Sequence, residues 1–298
     1  MNILISGARG FIGSALVPEL QKSGHTVTTL SRSPGEESRL GVTAFAWDPL
    51  SQTPPPESLA GADAVIYLSG ETVAQRWTDD AKEKIHDSRV VGTRHLVEGI
   101  ANATKRPKAL ICSSATGYYG DRGEEELTEE STPGESFLAG VCQAWEREAD
   151  QAAGLGLRVV KIRTGMVLGS DGGALKRMIT AFRTKMGGKL ASGKQWMSWI
   201  HLSDLVALYE FAAANQVSGV LNGTSPHPVR NEEFTEALGE ALNEPSKIAV
   251  PEFALKMMFG EMAEVMLASQ KVFPIATERA GFTFRFPDIL AALQDAVH

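Results

Sequence analysis

The sequence predicts an α/β protein: a doubly wound parallel sheet with helices on both faces, followed by a smaller, mainly helical lobe. Three observations carry that prediction. Short apolar strand-like runs alternate with helical periodicity over roughly the first 165 residues. A glycine-rich turn separates the first strand from the first helix. After about position 165 the alternation gives way to glycine clusters and further helical patterns.

Taken in order, Asn2–Ser6 reads as a buried strand. Residues 11–23 have helical spacing, with Ile12, Leu16 and Leu20 on one face, and Gly24 ends the helix. Residues 26–30 are rich in β-branched side chains and form the second strand, which completes a β-α-β unit. Residues 43–47 read as a short strand, 53–56 as a proline-rich turn and 64–68 as an apolar strand. One or two helices follow at 79–102, then a strand at 109–113, a helix at 137–153 and a strand at 158–162. Such alternation implies a mostly parallel sheet buried on both faces. Beyond it, glycines cluster at 169–173 and 187–193, and residues 202–214, 231–242 and 253–272 read as helices. The expected division is a first domain over 1–165 and a substrate-binding lobe over 166–298, with elements free to interleave.

The composition is that of an ordinary soluble protein, 43% hydrophobic and 22% charged. No apolar run is long enough to span a membrane. The chain enters the strand Ile3-Leu4-Ile5 directly, without a basic segment or cleavage site, so a cytoplasmic location is expected. Cys112 and Cys142 read as buried, unpaired thiols of a reducing compartment, and no Cys/His spacing suggests a metal site. A net charge of −7 argues against nucleic-acid binding.

The strongest motif is Gly7-Ala8-Arg9-Gly10-Phe11-Ile12-Gly13. Gly7 permits the tight turn, Gly10 lets the backbone approach a pyrophosphate, and Gly13 lets the helix pack close to the sheet. The N-terminus of the helix then presents free N–H groups and a partial positive charge to phosphate. The spacing differs by one residue from the familiar G-x-G-x-x-G, but its place inside an N-terminal β-α-β unit points to dinucleotide binding by a Rossmann-type domain. An acid at the end of the second strand would bind the ribose 2′-hydroxyl of NAD. Here that position holds Ser31-Arg32, which suits a 2′-phosphate, so NADP(H) is the expected cofactor.

Further runs resemble a known group. The opening turn, Leu68-Ser69-Gly70, Ser113-Ser114-Ala115-Thr116 and Tyr119-Gly120 resemble the extended short-chain dehydrogenase/reductases of the NAD-dependent epimerase/dehydratase superfamily. Leu68-Ser69-Gly70-Glu71, Asp87-Ser88-Arg89, Val167-Leu168-Gly169, Trp199-Ile200-His201-Leu202-Ser203-Asp204-Leu205 and Leu221-Asn222-Gly223 are similar to its 39U-type, or atypical, members. The resemblance spans essentially the whole chain. It implies that Ser31 and Arg32 hold the adenosine phosphate, that Leu68 and Ser69 lie along the cofactor, that Arg89 reaches it from the next helix, and that Val167 closes the nicotinamide side. Trp47-Asp48 is a candidate adenine neighbour, with core packing as the alternative for Trp47. Related extended enzymes often pair through helices flanking the sheet, so a homodimer is a further expectation.

The catalytic pattern departs from these relatives. They use Ser/Thr with Tyr-x-x-x-Lys, whose spacing puts phenol and ammonium on one helix face and lowers the Tyr pKa. Aligned on the helix before Glu146, the Tyr position is Leu138 and the Lys position is Cys142, and no Tyr-x-x-x-Lys occurs anywhere. Ser114 matches the catalytic serine. Tyr118 or Tyr119 could replace the missing acid; alternatively both shape the pocket or pack with satisfied hydroxyls. Arg163 follows a strand at the carboxyl edge where ligands collect. Gln195, Trp199 and His201 could face substrate, although His201 reads better as a structural residue bonded near Asp204. Met258, Met262 and Met266 suggest a core stripe, and Glu124–Glu126 with Glu129 and Glu130 a solvated loop. Two functions follow: an NADP(H)-dependent oxidoreductase or epimerase acting on a small polar or nucleotide-linked molecule, or a non-catalytic NADPH-binding regulator.

Overall fold

The computed structural model describes residues 1–37, 41–244 and 248–297. Its first part runs β1 (Asn2–Ser6), α1 (Phe11–Lys22), β2 (Thr26–Ser31), α2 (Pro34–Glu37), β3 (Thr43–Ala46), α3 (Pro56–Leu59), β4 (Ala64–Tyr67), α4 (Asp79–Asn102) and β5 (Ala109–Ala115). A short β6 (Glu126–Leu127), α5 (Phe137–Asp150) and β7 (Arg158–Thr164) complete it. The 79–102 segment is one helix, started by the Thr78 hydroxyl, which accepts from the Ala81 amide, and by Asp79 and Asp80 in its first turn.

The second part begins with β8 (Met166–Leu168), α6 (Gly173–Arg183), β9 (Gly188–Leu190), β10 (Trp196–Met197), β11 (Trp199–His201), α7 (Leu202–Ala214) and β12 (Gly219–Gly223). It continues through β13 (Val229–Arg230), α8 (Asn231–Leu242), β14 (Ile248–Val250), α9 (Glu252–Phe259), α10 (Ala263–Leu267), β15 (Lys271–Val272), α11 (Ile275–Arg279) and α12 (Ile289–Val297).

Seven strands form one parallel sheet in the order β3-β2-β1-β4-β5-β7-β12. Because side chains alternate along a strand, Ile3 and Ile5 face one core while Leu4 faces the other. Leu16, Val17 and Leu20 of α1 and Leu205, Leu208 and Tyr209 of α7 cover the first face. Val90, Leu96 and Ile100 of α4 and Trp145 and Ala149 of α5 cover the second. Each fully buried aliphatic side chain contributes about 1.5–3 kcal/mol of transfer free energy. A third core joins α6, α8 and α12 through Leu175, Phe182, Phe234, Leu238 and Leu293.

The boundary at 165 is crossed, because α7 and β12 return to the sheet and its core. The structure alters one expectation about organisation, that of a helix over 253–272. The 253–272 helix is broken at Gly260 into α9, a 3-10 turn at 260–262 and α10, with β15 after it. The break shifts the helical phase, so the methionine stripe does not form. Met262 is buried, whereas Met258 is 62% exposed.

Candidate functional site

The glycine turn lies at the carboxyl end of β1, in the middle of the sheet. Gly7 has φ +88°, and a Cβ there would stand 2.9 Å from the Leu68 carbonyl carbon and the Ser69 nitrogen. The Gly10 amide donates to the Gly7 carbonyl at 3.0 Å, and Ser14 donates to Gly10 at 2.8 Å as α1 begins. Gly10 is the N-cap and offers no side-chain cap, so the first-turn donors of α1 face outward for an anion. At Gly13 a Cβ would strike the Gly7 carbonyl and come 2.7 Å from the Ala8 Cα, so only glycine lets the helix sit this close.

The turn is fixed on both sides. The Ser6 and Ser69 hydroxyls share a 2.5 Å hydrogen bond across β1 and the end of β4. Phe11 packs its ring against Gly169, Gly172 and Gly173 of the second part. Ile12, Leu68 and Val167 are partly buried and pack on the same core. Arg9, within the turn, is exposed. Ser31 and Arg32 stand at the end of β2, the serine 8% exposed with its hydroxyl accepting from the Ser33 amide at 3.2 Å, the arginine side chain exposed.

Of two further candidate neighbours of the cofactor, the first takes the core-packing alternative. Trp47 is not an adenine wall: it is buried, edge-on to Tyr67 at 6.3 Å, and its indole donates to the Gln52 carbonyl at 2.8 Å. Arg89 is half-buried and forms no ion pair among the described residues. Its guanidinium donates to the carbonyls of Glu71 and Ile85, each at 3.0 Å, and lies 5.3 Å over the Trp145 ring beside Gly70. Burial pushes its pKa down, against the opposing pull of Cys142, Tyr67 and Glu71.

The second half of the site is a buried polar network that the sequence did not reveal. Strand register sets Ser114 of β5 beside Arg163 of β7. Leu138, Cys142 and Glu146 follow at four-residue intervals on one face of α5. Ser114 donates to Glu146 Oε1 at 2.7 Å. Arg163 clamps the same carboxylate, Nε to Oε1 at 2.8 Å and Nη2 to Oε2 at 2.9 Å. Burial opposes the Arg163 charge, but the hydrogen bonds and charge of Glu146 outweigh it and raise its pKa above the usual guanidinium value. Glu146 was missed because nothing marks a helical glutamate as buried. Its one sequence signal was its spacing, one turn beyond Cys142.

Tyr119 is corrected from a candidate acid to a structural phenol. It is fully buried, donates to Asn222 Oδ1 at 2.7 Å and accepts from Arg163 Nη1 at 3.1 Å. Burial pushes its pKa up to about 12. Tyr118 is half-buried, its ring stacked 3.3 Å from the Arg163 guanidinium carbon. Cys142 is buried against the Ala115 carbonyl, and burial raises its thiol to about pKa 11. Neither Leu138 nor Cys142 supplies the proton chemistry of Tyr and Lys.

Other candidates also resolve into structure. Gln195 donates to the Leu190 carbonyl at 3.2 Å and Trp199 to the His227 carbonyl at 3.0 Å, both from buried positions. His201 caps α7 by accepting from the Ser203 amide at 3.2 Å, and its Nε2 lies 3.3 Å from Asp295 rather than being bonded to Asp204. Asp204 instead receives the amides of Arg285 and Phe286. Glu129 is no solvated acid: it receives the amides of Asn222, Ala276 and Thr277. Glu124 pairs with Arg230 and accepts from the Trp196 indole, which lowers its pKa to about 2.

Residues 3–224 match the model of the NAD dependent epimerase/dehydratase family. The chain belongs to that family. Residues 250–296 match a domain of unknown function, DUF1731. Among this family member's relatives is the chloroplastic epimerase family protein SDR39U1 homolog of Arabidopsis thaliana, 40% identical over 99% of this chain and 86% of that protein. Another is the epimerase family protein YfhF of Bacillus subtilis, 35% identical over 100% of this chain and 98% of that protein. The crystal structure of human epimerase family protein SDR39U1 with NADPH superimposes with a TM-score of 0.89 at 34% identity, covering 100% of this chain and 99% of that one. No described helix is long and apolar enough to cross a membrane.

Proposed function

We propose that this chain binds NADP(H) in the cleft at the carboxyl ends of β1, β2 and β4, and that it is an oxidoreductase or epimerase acting on a small polar molecule. The observation that carries the reading is the cradle itself. An uncapped helix N-terminus and two glycines without room for a Cβ fit a pyrophosphate, and Ser31 and Arg32 stand where a 2′-phosphate would lie. The human relative's complex with NADPH supports the same choice.

When bound, the cofactor supplies or accepts a hydride. Gly7, Gly10 and the first turn of α1 would hold its diphosphate, and Arg32 would pair with the phosphate on its ribose. Leu68 and Val167 exclude water from the nicotinamide side of the cleft. Ser114 orients a bound molecule beside it. With Leu138 and Cys142 in the Tyr and Lys positions, proton exchange falls to Tyr118, to solvent or to the ligand itself. Those two side chains also favour a second reading, a non-catalytic protein whose NADPH occupancy controls a partner.

Dissociation constants for NADPH and NADH at one fixed salt concentration test the cofactor. NADPH is expected to bind more tightly, and Arg32→Asp to lose about 10- to 100-fold toward NADPH, the worth of one charge-assisted hydrogen bond. Equal affinities would overturn the choice. Stopped-flow loss of reduced-nicotinamide absorbance on mixing NADPH-loaded protein with a broad carbonyl and metabolite panel separates enzyme from regulator. No oxidation across the panel favours the regulator.

A further inference from the structure

We infer that Ser114 is a hydrogen-bond acceptor only, so that the site beside the cofactor takes a hydroxyl- or amine-bearing ligand and disfavours carbonyl and carboxylate oxygens at that point. The inference deepens the proposed function and rests on it for the position of the cofactor, but the polarity itself comes from this chain's own network.

Ser114 Oγ carries one proton and lone pairs that can accept. Its partner Glu146 Oε1, 2.7 Å away, also receives Arg163 Nε at 2.8 Å, and Oε2 receives Arg163 Nη2 at 2.9 Å. A guanidinium stays protonated in proteins and has no lone pair to offer, so Glu146 is held as a carboxylate with nothing to donate. The proton between Ser114 and Glu146 therefore comes from the serine.

The rest of the network prevents reversal. Arg163 Nη1 donates to Tyr119, Tyr119 donates to Asn222 Oδ1 at 2.7 Å, and Asn222 Nδ2 is committed to the Phe273 carbonyl at 2.9 Å. Asn222 cannot flip without losing both bonds, so Tyr119 cannot turn its proton back toward Arg163. Tyr119, Arg163 and Asn222 are at most 3% exposed and Glu146 is 6%, so water does not substitute for their partners within the network. A ligand oxygen reaching Ser114 meets lone pairs. A ligand O–H or N–H gains a bond there; a ketone or carboxylate oxygen gains none and is left desolvated against another acceptor. The serine that would polarise a carbonyl in a Tyr-x-x-x-Lys site is turned the other way here, and the residue that turns it sits one helical turn beyond the Lys position. Glu146 is thus a positioning residue.

The test is ligand-observed fluorine NMR with matched fluorinated secondary alcohols and their ketones, titrated into the full chain with and without NADP⁺. The expected result is tighter binding of the alcohol of each pair by about two- to tenfold, the worth of one hydrogen bond. Ser114→Ala removes the acceptor, and the preference is expected to vanish. Wild-type protein that takes ketones as well as alcohols, or an alcohol preference that persists in Ser114→Ala, overturns the inference. NADPH affinity, followed by its fluorescence, is read separately. Its absence would refute the cofactor reading, while the alcohol-to-ketone ratio would still judge the polarity of Ser114.

Discussion

Replacing Arg163 by Met while leaving Glu146 in place strands a carboxylate whose side chain is 7% exposed. The same holds in reverse for Glu146→Leu, which strands a guanidinium 4% exposed. Breaking one side of such a pair costs about 3–5 kcal/mol, because the remaining charge is desolvated and unmatched. The double variant Glu146→Leu/Arg163→Met removes both charges and fills the space with apolar side chains of similar length. What remains is the loss of the acceptor for the Ser114 hydroxyl, about 1–3 kcal/mol for one buried unsatisfied group. Tyr119 keeps its bond to Asn222 in that variant. The singles therefore sum to about 6–10 kcal/mol, against about 1–3 for the double, a coupling of several kcal/mol. Urea unfolding followed by tryptophan fluorescence measures all four corners of the cycle. A double variant whose loss equals the sum of the singles within about 0.5 kcal/mol would refute the view that the two residues act as one unit. The orientation of Ser114 would then lose its physical basis.

Three further outcomes follow from the same geometry. Gly13→Ala places a methyl against Ala8 and the Gly7 carbonyl, so it should cost about 1–3 kcal/mol in urea unfolding and weaken NADPH binding in a fluorescence titration, because the turn must move. Tyr119→Phe deprives Asn222 of its donor and should cost about 1–3 kcal/mol, whereas Tyr118→Phe keeps its ring on Arg163 and should change stability little; comparing their unfolding midpoints checks this. Burial lowers the pKa of His201 below the ordinary 6.5, against the opposing pull of Asp295 and Asp204. The unfolded chain therefore binds the proton more tightly, so this contribution is present above pH 6.5 and lost as pH falls through the folded value. Thermal midpoints should fall less steeply from pH 7 to 5 in His201→Asn, which keeps a side-chain acceptor for the Ser203 amide and removes the titration.

The strands and helices of the first part were legible because parallel strands buried on both faces leave nearly continuous apolar runs, and Ile3-Leu4-Ile5 or Val65-Ile66-Tyr67 admit little else. The cofactor cradle was legible for a related reason. Gly13 is a local demand, met by the backbone of Gly7 and Ala8 only residues away, and Gly7 takes a positive φ at a tight turn, so the sequence shows both, although the backbone that closes on Gly7 belongs to Leu68 and Ser69. Where contacts are long-range the sequence says less. Nothing near Trp47 announces that Tyr67 and Gln52 will enclose it, and nothing near Glu129 announces the amides of Ala276 and Thr277, 147 and 148 residues on.

Ser31 and Arg32, the absence of Tyr-x-x-x-Lys and the presence of Ser114 were fixed by the order of residues alone. What Ser114 does was decided by the fold. β5 and β7 set it in register with Arg163, and α5 brings Glu146 over both. A hydroxyl can give or receive, and only the partner that packs against it selects which. That partner lies 32 residues away on another element, and a hydrogen bond's direction depends on which partner tertiary packing provides.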